Sequence, residues 1–154
     1  MRSNRVIGMK GTADEAEIRL VIDKWIGAFR NKSVDEAFAV HAPGIVSFDI
    51  VPPLRYAGIA DYRKPWEAIF IGPLFTGPIE IELRDLTIAV GQDIGFSHSL
   101  NRFKAKRNDG ARIDYWFRWT ACFRKIAGKW LIVHDHTSLP TDFATGRAVQ
   151  DLAP

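Results

Sequence analysis

Three kinds of side chain in this sequence are able to move protons or hold developing charge: Asp49, the histidines His98, His134 and His136, and Arg118. Asp49 follows Phe48 in an apolar run, where an ionised carboxylate is costly unless paired. Burial there would raise its pKa and suit it to shuttling a proton. The competing reading is a structural carboxylate, bonded to the Pro52–Gly58 loop or paired with Arg55. Imidazole titrates nearest neutral pH, so His98 and His134 are candidates for an acid/base pair. They are also open to structural hydrogen bonding or, with Asp49, to holding a metal, although no short metal-spacing motif is present. The planar donor fork of Arg118 suits a substrate carboxylate or enolate, and also a permanent pairing with Asp135 or Asp114.

Strand register is what would bring these groups together. Ile79–Val90, Ile94–Ala105, Ala111–Ile126 and Trp130–Ser138 are β-type runs joined by short Gly-bearing connections, which predicts an antiparallel meander of four strands. A loop Asn108-Asp109-Gly110, with Gly110 left-handed, pairs Arg107 with Ala111. The same logic at Ile126-Ala127-Gly128 spares Ala127 a positive φ and pairs Lys125 with Lys129. Counting along the strands then sets His98, Thr120 and His134 in one row and Leu100, Arg118 and His136 in the next, with Trp116 opposite Ser138. All share one face because side chains alternate with period two, unless a β-bulge intervenes. That face is the expected pocket wall, where Trp116, Thr120, His136 and Ser138 would contact a ligand. Tyr115, Phe117, Trp119 and Phe123 on the other face are left for core or a dimer interface.

The earlier part of the chain predicts helices. Thr12-Ala13-Asp14-Glu15 reads as a capping box ahead of Ile18, Ile22, Trp25 and Phe29 at helical spacing. Ser33–Glu36 repeats the signal and opens a second helix through Val40, with His41 placed to cap its end. Ile45–Val51 is a short strand stopped by Pro52-Pro53. Asp61 is positioned to cap a third helix carrying Trp66, Ile69 and Phe70, with Pro65 in its first turn. Helices first and a long sheet afterwards predict an α+β domain over residues 12–140, between a loose terminus at 1–11 and a polar tail at 141–154.

Composition sets the outer limits. The 154 residues, 47% apolar and including five Trp and ten Phe, suffice for one sizeable core. No apolar run approaches a membrane span or a secretory signal, so the expected location is the cytoplasm, and the single Cys122 fits a reducing compartment as an inert thiol. A formal charge of +3, with basic residues scattered among 18 acidic ones, argues against nucleic-acid binding.

The capped first helix, the run Val46-Ser47-Phe48-Asp49 followed by Pro52–Gly58, and the ending Arg118-Trp119-Thr120 … Gly128-Lys129-Trp130 … His134-Asp135-His136-Thr137-Ser138-Leu139-Pro140 resemble the SnoaL-like and ketosteroid-isomerase-like branch of the nuclear transport factor 2-like superfamily, from about Thr12 to Pro140. The resemblance implies a cone-shaped roll: a strongly bent, mainly antiparallel sheet wrapped around about three N-terminal helices, open at its wide end to a small hydrophobic molecule. It also implies a homodimer through the sheet face. In ketosteroid isomerases an Asp on an early strand is the general base, and Asp49 stands at that kind of place; a Tyr on the first helix, half of that oxyanion hole, has no counterpart beside Trp25 and Phe29. The expected activity is therefore isomerisation, cyclisation or dehydration of a small carbonyl or polyketide-like compound, without cofactor or metal. Asp49 would be the base, His98 and His134 the acid or relay, and Arg118 with His136 the stabiliser of negative charge. Trp25 and Tyr56 would be rim aromatics. A non-catalytic binding or dimerisation domain is the alternative, and a metal-assisted hydrolase or oxygenase a more distant one. Fold alone does not choose among them.

Overall fold

The computed structural model describes residues 12–154; the expected loose terminus at 1–11 lies outside them. Helix α1 (Ala13–Asn31) starts where the capping box predicts, with the Thr12 hydroxyl accepting from the Glu15 amide at 3.2 Å. Helix α2 (Val34–Phe38) opens in the same way, on Ser33. Strand β1 (His41–Phe48) begins earlier than the apolar run suggests and is followed by a short β2 (Tyr56–Ala57). Helix α3 spans Ile59–Phe70 and starts from Gly58 at φ +83°, so Pro65 lies inside it rather than in its first turn. Asp61 sits in that first turn instead of capping.

Strands β3 (Phe75–Val90), β4 (Ile94–Arg107), β5 (Arg112–Ile126) and β6 (Lys129–Ser138) form the antiparallel meander. The full sheet runs β2-β1-β6-β5-β4-β3, and β1 joins β6 in parallel. That parallel pair makes the sheet mixed, and it closes one side around the helices. Beyond β6 the chain makes a small hairpin, β7 (Thr141–Asp142) with β8 (Arg147–Ala148), and Gln150 from this end reaches the interior cavity.

The core is aromatic. Trp25 of α1 stacks flat on Trp119 of β5, centroids 4.2 Å apart and planes 9° off parallel. Phe29 packs on Trp66, and Trp66 on Phe70, so α1 and α3 share one aromatic layer. Facing it are the odd-numbered residues of β4 and β5, with Phe103, Phe117, Trp119 and Phe123 all buried. Burying these large apolar faces decides which side of the sheet turns inward.

Register at β4–β5 follows the predicted pairing: His98 stands opposite Thr120 and Leu100 opposite Arg118. At β5–β6 it does not. Ile126 pairs with Lys129 across a two-residue turn in which Ala127 takes φ +48° and Gly128 φ +78°, and a bulge follows between Cys122 and Phe123. Each feature moves the pairing by one residue. Thr120 therefore stands opposite His136, Arg118 opposite Ser138 and Cys122 opposite His134. The strained turn is accepted because two tight central positions match the twist of the strands better than a wider loop.

Ala127 carries a left-handed conformation that Asn tolerates better. Ala127→Asn is expected to stabilise the protein by about 1 kcal/mol. Urea unfolding checks it; an unchanged or lower midpoint would contradict the strain.

Candidate functional site

Where β1 and β6 run side by side, Ser47 is in register with Asp135 and Phe48 with His136. Inward-facing positions at this junction carry Ser47, Asp135 and Thr137, and Asp49 follows immediately on the end of β1. Asp49 Oδ1 accepts from the Ile50 amide at 2.6 Å and from the Thr137 hydroxyl at 3.3 Å. Asp135 is buried, 1% exposed, and its Oδ2 accepts from the Tyr62 hydroxyl at 3.4 Å. The same hydroxyl also bears on Asp49, so Tyr62 links the two carboxyl groups. Ser47 and the Trp119 indole lie near Asp135 without closing a hydrogen bond, and Asp135 Oδ1 has no partner.

His41 completes the cluster. Its Nδ1 bonds the Ala37 carbonyl at 2.7 Å, so that nitrogen carries the proton and the helix-end capping expected of it is made. Its unpartnered Nε2 faces Asp135 Oδ2 at 4.0 Å. Tyr56 stacks on Tyr62 at 5.3 Å and donates its hydroxyl to the Pro52 carbonyl, which steadies the loop after β1.

Burial governs the charges. It pushes the Asp135 carboxyl up to about 7, against an opposing pull from Ser47 and with the neighbouring charge of Asp49 adding to the rise. It raises Asp49 as well, opposed by the hydrogen bonds from Ile50 and Tyr62. It drives His41 down to about 4, against the Ala37 carbonyl. Tyr62 is held well above the ordinary phenol value by burial, and Tyr115 rises to about 12 for the same reason, with Asp49 contributing. At neutral pH both phenols and the imidazole are therefore uncharged.

Asp49, Tyr62 and Thr137 border a cavity of about 290 Å³. Trp25, Phe29, Trp66, Phe103, Tyr115 and Phe117 supply much of its wall, and Gln150 adds an amide. Of the candidates read from the sequence, Asp49 and Trp25 line this cavity. Tyr56 is buried beside it rather than at a rim. His98, Trp116, Arg118, Thr120, His136 and Ser138 lie on even-numbered strand positions, which point to the outer face, away from the cavity. There Arg84 and Arg102 both lie over the Trp116 ring, and His134 bonds the Val46 carbonyl at 2.7 Å with Phe48 against its ring. Arg118 pairs with neither expected carboxylate: Asp114 is bound by Arg102 at 2.7 Å and Asp135 faces inward.

Tyr62, Tyr115, Asp135, Thr137 and Gln150 were not among the sequence candidates. The signal for Tyr62 was its helical spacing with Trp66 and Phe70. For Tyr115, Asp135 and Thr137 it was the alternation that follows once the aromatic face is taken as the inner one. Among the described residues no three His, Cys, Asp or Glu side chains are grouped to hold a metal ion, and no helix is long and apolar enough to cross a membrane.

Comparison with known proteins agrees with this architecture. The profile of the SnoaL-like domain matches residues 18–142. An NTF2-like protein of Pseudomonas putida KT2440 is similar at 35% identity and a TM-score of 0.84, over 96% of this chain and 100% of that one. An NTF2-like superfamily protein of Salmonella enterica serovar Typhimurium LT2 shares the fold at 20% identity and a TM-score of 0.72, over 87% and 96% of the two chains. A ketosteroid isomerase-like protein of Erwinia carotovora atroseptica SCRI1043 does so at 17% and 0.67, over 80% and 93%. No curated protein matches the chain.

His41 and Asp135 impose opposite pH dependences on stability. Asp135, raised to about 7, contributes stability that is full below its unfolded value of 3.8 and lost as pH rises through 7. His41, lowered to about 4, contributes stability present above 6.5 and lost as pH falls through 4. Between pH 4 and 7 the two are expected to offset each other in the wild type. Asp135→Asn should leave a melting temperature that falls on acidification, and His41→Asn one that rises. Thermal melts across this range check the pair; parallel profiles for the two variants would contradict it.

Proposed function

Because the chain belongs to the SnoaL-like family of the nuclear transport factor 2-like superfamily, we propose that its interior cavity carries out acid/base chemistry on a small hydrophobic carbonyl compound without a cofactor. The observation that carries this is a half-buried carboxyl, Asp49, set in the wall of an aromatic cavity and linked through Tyr62 to a fully buried one, Asp135. A water-poor site with a carboxyl raised above its ordinary range is what proton abstraction beside a carbonyl requires.

Asp49 takes a proton from the carbon next to the carbonyl, and the electron pair moves onto the carbonyl oxygen as an enolate. Tyr115 retains its proton and is available as a neutral donor to that oxygen, whereas Tyr62 gives its single proton to Asp135. Asp49 then returns the proton at a second carbon for isomerisation, gives it to a departing β-hydroxyl so that water leaves in dehydration, or gives it to the alkoxide formed when the enolate carbon attacks a second carbonyl in cyclisation. Asp135 keeps its proton to near neutrality and holds the orientation of Tyr62. His98, His134, His136 and Arg118 have no part in this step.

Their outer face fits a second copy of the chain. Ile94 is 54% exposed, Phe96 48% and Phe48 41%, and these apolar groups are interspersed with His98, Thr120 and Arg118. A homodimer through this face, working in the cytoplasm, completes the proposal. Should the cavity prove inert, binding of a small molecule is the function it retains.

Hydrogen–deuterium exchange beside the carbonyl of 2-tetralone, followed by NMR in D2O, tests the reaction. The wild type is expected to exchange faster than buffer, and Asp49→Asn to lose roughly 100- to 10,000-fold of that rate with its circular dichroism intact. Exchange at the buffer rate with the wild type, or undiminished in the variant, contradicts it.

A further inference from the structure

We infer that the cavity selects by charge: it accepts an uncharged aryl alcohol or ketone of one or two rings and rejects the corresponding carboxylate. The inference rests on taking the Asp49 cavity as the functional site, and it concerns what enters rather than what happens to it.

The size follows from the volume. A cavity of about 290 Å³ lies at the small end of the roughly 300–1,000 Å³ found for small-molecule sites, which suits a ligand of one or two rings. The shape follows from the walls, where Trp25, Trp66, Phe103 and Phe117 offer flat apolar faces suited to a fused ring system.

The charge preference follows from what the wall contains. Its polar side chains are Asp49, Tyr62, Tyr115, Thr137 and Gln150, and none of its described residues is Lys, Arg or His. Asp135 adds a second carboxyl just behind the first. An anion would enter a poorly solvated space beside a carboxyl group, with no cation among the described lining residues to meet it. Basic side chains of β4 and β5 point elsewhere: Arg118 lies on the outer face, and Arg102 is engaged by Asp114 and Glu82. An uncharged O–H donor fares better. Ile50 and Thr137 both bond Asp49 Oδ1, and a carboxylate has further acceptor capacity on Oδ2.

The experiment is isothermal titration calorimetry of the full chain with 2-naphthol and 2-naphthoate at pH 7. The expected result is a preference for 2-naphthol on the order of 100-fold, the scale set by like-charge juxtaposition. As pH falls from 7 to 5, the neutral acid becomes more abundant and the wall carboxyl groups take up protons, so the preference for 2-naphthol over 2-naphthoate should shrink steadily. In Asp49→Asn, where an amide can donate to a carboxylate, the preference should narrow to a few-fold. Equal or tighter binding of 2-naphthoate by the wild type at pH 7 overturns the inference. So does failure of 2-naphthol to bind at millimolar concentration. These readouts are equilibrium affinities, so charge selection observed in a protein that exchanges no hydrogen would sink the proposed reaction and leave the ligand class standing.

Discussion

At the junction of β1 and β6 one carboxyl group, Asp135, is taken out of water and a second, Asp49, is partly so, and the cost of doing so shapes the rest of the site. A carboxylate buried among aromatic rings must find a partner or keep its proton. Here the partners are sparse: a phenol shared between Asp49 and Asp135, one hydroxyl from Thr137, one amide from Ile50. The neighbouring imidazole does not rescue Asp135 by ionising, because His41 is itself buried and already gives its Nδ1 proton to Ala37. The cluster is therefore poised between protonation states close to neutral pH instead of locked as an ion pair. A site arranged in this way trades folding stability for a carboxyl that can both take and return a proton.

The parallel β1–β6 pairing makes this possible. In a meander alone, Asp135 would have only β5 beside it. With β1 alongside in parallel, Ser47 is set next to Asp135, and the chain leaving β1 carries Asp49 back over Thr137. Helix α3 then lays Tyr62 across the gap, with Trp66 and Phe70 at four-residue intervals fixing its rotation. The division of the sheet follows from the same physics. Aromatic side chains at odd positions of β4 and β5 face the helices, which leaves the basic and imidazole groups of even positions on the outside.

Much of the frame was legible in the sequence because its signals are local. The hydroxyl caps at Thr12 and Ser33, the aromatic stripe of α1 and the left-handed Gly110 each depend on a few neighbouring residues, and each appears where expected. The β5–β6 register was not legible. Avoiding a positive φ at Ala127 is sound for an isolated turn, yet strand twist outweighed that cost, and the bulge at Cys122/Phe123 has no mark in the residues that form it. The candidate site divides along the same line. Asp49 stood out as a carboxylate in an apolar strand and does border the cavity. The histidines drew notice by residue type, but which face of a sheet is buried depends on the summed apolar area of the strands, and there the aromatic residues of β5 prevailed. Asp135, between two conspicuous histidines, reads from the sequence only as a partner for Arg118, although alternation puts it on the opposite face from both.

Titration of Asp49 and Asp135 tests the proposed proton-transfer site most directly. Carbon-13 NMR of the aspartate side chains, assigned with Asp49→Asn and Asp135→Asn, would follow both groups across the pH range. Asp135 is expected to titrate near 7 and Asp49 above the usual aspartate range, with the removal of either shifting the other downward. Both groups titrating near 4, independently of each other, would mean that water reaches them freely and would contradict the proposed proton-transfer site.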